Sequence, residues 1–80
     1  MRKEEFSVVC NYIDPSDDSE TYRFTSETAA RLTFGRLVAI EREVNPGGEW
    51  EIVLYHNPDG KSLIVLDRFS YMDLLQETHD

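Results

Sequence analysis

The apolar positions of this chain recur first every second residue, then every third or fourth, then every second again. From Glu4 to Ile13, Phe6, Val8, Cys10 and Tyr12 alternate with Glu5, Ser7, Val9 and Asn11. That is the pattern of a strand with one buried face. Thr21 to Thr25 repeats it briefly, with Tyr22 and Phe24 on one side, and predicts a second strand paired with the first in an antiparallel hairpin. From Ser26 to Val44 the period changes. At 3.6 residues per turn, Ala29, Ala30, Thr33, Phe34, Leu37, Val38, Ile40 and Val44 share one broad face, with Arg31, Gly35, Arg36, Arg42 and Glu43 on the rest. Ser26 suits the capping position, with Thr25 as the alternative, and Pro46 stops the helix near Val44 or Asn45 by disfavouring helical geometry in the residue before it.

Period two returns at Trp50 to Tyr55, where Trp50, Ile52 and Leu54 face one way and Glu51, Val53 and Tyr55 the other. His56 to Lys61 carries Asn-Pro-Asp-Gly and predicts a turn. Ser62 to Arg68 is apolar on both sides through Leu63, Ile64, Val65 and Leu66, which predicts a central strand or one whose outer face is covered. Ser70 to Glu77 predicts a short helix, with Ser70 and Asp73 spaced as a capping box and Tyr71, Leu74 and Leu75 at helical spacing. The expected fold class is α+β in the order ββαββ. A four-stranded, mainly antiparallel sheet carries one long helix packed on one face and a short C-terminal helix, in a single domain over residues 1–80.

One helix covers only one face of a sheet. Val9, Ile13, Val53, Tyr55 and either Ile64 or Leu66 then point away from it. Either the C-terminal segment packs there or the face is an interface, so Val53 and Tyr55 are candidates for a dimer face, with Leu32 of the helix as a second contact.

Charge changes the picture more than composition does. Sixteen acidic residues oppose eight basic ones, a formal net charge of −8 over 80 residues. Phosphate recognition needs clustered Lys and Arg, so direct contact with nucleic acid or an anionic membrane is not expected, and the natural complement is a basic protein surface. The densest negative stretch is the DPSDDSE segment with Asp14, Asp17, Asp18 and Glu20. Glu49, Glu51 and Asp59 of the second hairpin form a second group. Both groups are candidate partner-binding residues.

Chemistry offers less. Cys10 is the single cysteine and sits mid-strand on the expected core face; it cannot form an internal disulfide. His56, expected at the turn, and His79 do not combine with it at metal-ligand spacing. The acidic segment lacks the Asp/Asn-Gly-Glu spacing of a calcium loop, and no phosphate-binding glycine motif or nucleophile elbow occurs. No catalytic residue, metal or cofactor is expected, and His56 is the only residue a catalytic reading would name. MRKEEFSVV has no signal-peptide apolar core and no stretch reaches membrane-spanning length, so the expected compartment is the cytoplasm.

No motif identifies a family. In size, compactness, acidity and cysteine poverty the whole chain is similar to phage- and mobile-element-encoded inhibitors of nucleic-acid-handling machinery, anti-CRISPR proteins among them. That resemblance implies a non-enzymatic inhibitor or accessory module that docks on a basic, nucleic-acid-binding surface of a partner protein. The alternative expectation is a structural homodimer that uses the open sheet face.

Overall fold

The structure is a computed structural model that describes residues 4–12, 19–44, 49–59 and 62–77. Its elements follow the order β1 (Glu5–Tyr12), β2 (Glu20–Phe24), α1 (Glu27–Val44), β3 (Trp50–Asn57), β4 (Ile64–Ser70) and α2 (Tyr71–Glu77). The four strands form one antiparallel sheet in the order β2-β1-β3-β4, with α1 on one face, an α+β fold.

The two alternating strands at the centre, β1 and β3, make the core. Val8 pairs with Leu54 and Cys10 with Ile52 across the ladder, so their side chains project to the same face. Phe6, Val8, Cys10, Trp50, Ile52 and Leu54 are buried there together with Ala30 of α1. Phe34, Leu37 and Val38 of α1 pack against this cluster, as do Tyr22 and Phe24 of β2 and Phe69 of β4. The helix begins where Ser26 caps it. Ser26 Oγ accepts from the Ala29 N–H at 3.3 Å, and the Ser26 carbonyl accepts from the Ala30 N–H at 3.1 Å.

Three expectations are corrected. First, β4 is an edge strand, not a central one: the centre belongs to β1 and β3. Leu63, Ile64 and Val65 are exposed, and a bulge opposite Leu54 and Tyr55 lets Leu66 pack against the core. Apolar residues on both sides of a short run therefore marked an exposed edge here. Second, Ile40 and Val44 are not on the buried face of α1; they are 51% and 67% exposed, while Glu41 is only 7% exposed. The inward row is Ala30, Phe34, Leu37 and Glu41, at spacings of four, three and four. Its last position reaches the Tyr12 hydroxyl, which lets a carboxylate occupy it. Third, His56 lies within β3 instead of in the turn, its ring stacked on Phe6 at 4.6 Å between centroids. Gly60 and Lys61 of the expected turn lie outside the described residues.

The C-terminal helix forms as expected. Asp73 Oδ2 accepts from the Ser70 N–H at 2.8 Å and from Ser70 Oγ at 3.1 Å. Tyr71 and Leu74 pack against the core cluster, on the α1 side of the sheet. They leave the opposite face without a covering element among the described residues.

Candidate functional site

The register decides which acids share an end of the sheet. Cys10 pairs with Glu20 on one side and Ile52 on the other, Asn11 pairs with Glu51, and Tyr12 with Trp50. Glu51 in turn pairs with Ser70. Glu20, Glu49 and Glu51 therefore lie at one end of the sheet, with neighbouring strands spaced by ~4.8 Å. Tyr12 and Ser19, which flank the segment 13–18, are at this end too. Asp14, Asp17 and Asp18 themselves lie outside the described residues. Asp59 is not brought to this end. It follows Asn57, which pairs with Glu5 at the opposite end, and its carboxylate accepts from the Ser62 N–H at 2.8 Å and from Ser62 Oγ at 3.3 Å. Its contacts are those of a turn residue.

Two further acids lie at this end that sequence reasoning did not place there: Glu41 near the end of α1, bonded to Tyr12, and Asp73 in the first turn of α2, bonded to Ser70. The bond from Tyr12 Oη to Glu41 Oε1, at 3.0 Å, fixes the helix end over this edge of the sheet. The inward spacing after Ala30, Phe34 and Leu37 was the signal that could have found Glu41. Against these acids stand Arg68 and Arg42. Arg68 Nε donates to Glu51 Oε2 at 2.6 Å, and Arg42 lies over the Phe69 ring at 4.8 Å from its centroid. Glu20 and Glu49 receive hydroxyl donors, from Tyr22 at 2.5 Å and from Tyr71 at 3.3 Å. Both acids are exposed, so the outward half of each carboxylate faces solvent.

This concentration of negative charge acts on the groups beside it. Burial pushes the Cys10 thiol up to about 11, with Glu20 and Glu41 adding to the effect. Burial also raises the Tyr12 phenol, followed by its hydrogen bond to Glu41 and the charge of that carboxylate. The Tyr22 phenol is raised first by its bond to Glu20. A thiol held protonated on a buried strand is a poor nucleophile at neutral pH.

The open sheet face is more polar than the alternation implies. Val53 is on it but only 3% exposed, already buried between its cross-strand neighbours Val9 and Arg68, and Tyr55 is half-buried. A shallow groove there is lined by Glu5, Ser7, Asn11, Arg23 and Asn57 around Val9 and Tyr55. A second depression, at the start of α1, is lined by Glu5, Arg23, Phe24 and Ser26. Neither brings a nucleophile and a base together. No cluster of His, Cys, Asp and Glu suited to a metal ion occurs among the described residues, and no helix among them is long and apolar enough to cross a membrane. No family model, curated protein or solved structure matches the chain.

Proposed function

We propose that this protein is a small, acidic, non-enzymatic binding module that docks one end of its sheet on a basic surface of a partner protein. The observation that carries the proposal is the register, which gathers Glu20, Glu49 and Glu51 at the end where the acid-rich segment joins β1 to β2. Acids scattered over all faces would serve solubility alone. Acids collected at one end produce a directional field that steers association with an opposite charge and fixes its orientation. The carboxylates take the positions of phosphates against lysines and arginines, so the fitting partner is one whose basic groove ordinarily holds DNA or RNA. Competition for that groove is the mode of action of a phage-type inhibitor such as an anti-CRISPR protein. A single buried thiol fits the reducing cytoplasm as the place of action.

Affinity capture from the native host, washed first at low and then at high salt, tests the reading. It predicts that a nucleic-acid-binding protein is retained at low salt and released at high salt. It also predicts that replacing Asp17, Asp18 and Glu20 by their amides abolishes retention. Capture that survives high salt, or that ignores the amides, would sink it.

A further inference from the structure

The outer side of α1 carries apolar groups that the fold does not use. Leu32, Ile40 and Val44 are exposed and, with Arg36, stand at intervals of four residues. They form a ridge of the kind through which helices pack. Beside it runs a low row, Gly35, Ala39 and Glu43. Gly35 is the informative member. Glycine inside a helix is destabilising relative to alanine, and a Cβ at this position would meet nothing within 4 Å. Nothing among the described residues requires a glycine there. What it does provide is a notch beside an apolar ridge, into which another ridge fits closely.

The charges indicate what fills it. Arg36 on the ridge and Glu43 on the low row are of opposite sign, and neither enters an ion pair within the chain among the described residues. A surface carrying ridge, notch, cation and anion together is self-complementary, as a two-fold contact requires. We propose that α1 is the interface of a homodimer. The two copies of the helix cross in antiparallel sense at the ~50° of ridge-into-groove packing, each ridge seated on the Gly35–Ala39 row of the other. Arg36 of each copy faces Glu43 of the other. This contact uses none of Glu20, Glu49 and Glu51 and does not depend on the docking proposal. It is an alternative to the open sheet face, where Val53 is buried within one chain while Leu63 and Val65, beside Tyr55, are exposed.

Sedimentation equilibrium across a range of concentrations tests it, with circular dichroism to verify that each variant is folded. The wild-type chain sediments as a dimer at high concentration. Gly35→Leu fills the notch, and Ile40→Glu breaks the ridge. Both positions are exposed, so the protomer tolerates the change, and each weakens dimerisation by about ten-fold or more. Arg36→Glu and Glu43→Arg each weaken it singly, and the double exchange restores it. A monomer at every concentration overturns the proposal. So does a dimer unaffected by Gly35→Leu and Ile40→Glu, or a double exchange no tighter than its single variants.

Discussion

Replacing Tyr12 by phenylalanine probes a polar contact that ties the end of α1 to the sheet. Tyr12 Oη donates to Glu41 Oε1 at 3.0 Å, and Glu41 is 7% exposed. The substitution keeps the ring and its packing and removes only the donor. A hydrogen bond to a charged group is worth about 1.5–3 kcal/mol net, and the half-buried position of Tyr12 argues for the lower end, ~1.5 kcal/mol. In a domain this small, 1 kcal/mol moves the melting temperature by about 4–8 °C, so the expected fall is roughly 6–12 °C. Urea unfolding followed by circular dichroism gives the free energy directly, and the m-value shows whether the transition remains two-state. A paired variant sharpens the test. Removing both partners, in Tyr12→Phe with Glu41→Leu, extends the apolar inward row of α1 and recovers most of the loss, since the buried carboxylate is removed together with the Tyr12 hydroxyl. An unchanged melting temperature in Tyr12→Phe would refute the reasoning, as would a double variant less stable than either single one.

Three further outcomes follow from the same geometry. Stability falls in alkali. The folded-state values of Cys10 and Tyr12 both lie above their ordinary ones, so the contribution of Cys10 is complete below pH 9 and is lost as the pH rises towards 11, with that of Tyr12 following at higher pH; a pH series of urea midpoints shows the decline, and a flat profile through this window counts against the burial of both groups. Cys10 resists alkylation at neutral pH in the native state and reacts once the chain is unfolded, which mass spectrometry with and without denaturant distinguishes. Asp73→Ala removes both acceptor contacts at the start of α2 and costs about 1 kcal/mol, read from thermal unfolding, with no effect expected on the core strands.

Much of this architecture was legible in the sequence because β1 and β3 alternate cleanly. Phe6, Val8, Cys10, Trp50, Ile52 and Leu54 were placed on core faces by period alone, and they are the buried cluster. Ser26 and Ser70 marked their helices because a side-chain oxygen is needed where backbone donors lack partners. Strand order was not legible. Leu63 to Leu66 are apolar on both sides, and a local pattern does not distinguish burial between two neighbours from exposure at an edge that carries a bulge. Glu41 was missed for a different reason. Its spacing from Ala30, Phe34 and Leu37 matches the buried row, but a carboxylate does not register in an apolar pattern, and the hydroxyl that donates to it lies 29 positions earlier. Of the acids expected to act together, Glu20, Glu49 and Glu51 share one end of the sheet because of strand register, with Glu20 on the face of Cys10 and Glu51 on that of Asn11, and Asp59 is not there because its hairpin turn is at the other end. Register depends on long-range pairing, which no local stretch encodes.

The docking of the acidic end on a basic surface is tested most directly by the affinity for the captured partner measured against salt. The wild-type chain is compared with a variant carrying Glu20→Gln, Glu49→Gln and Glu51→Gln. Wild-type affinity is expected to fall steadily as salt rises. At low salt the variant binds about ten-fold more weakly, taking ~0.5 kcal/mol for each exposed charge pair, and its salt dependence is shallower. Affinity that is indifferent to salt, or equal in the two proteins, would contradict the assignment of this end as the docking surface.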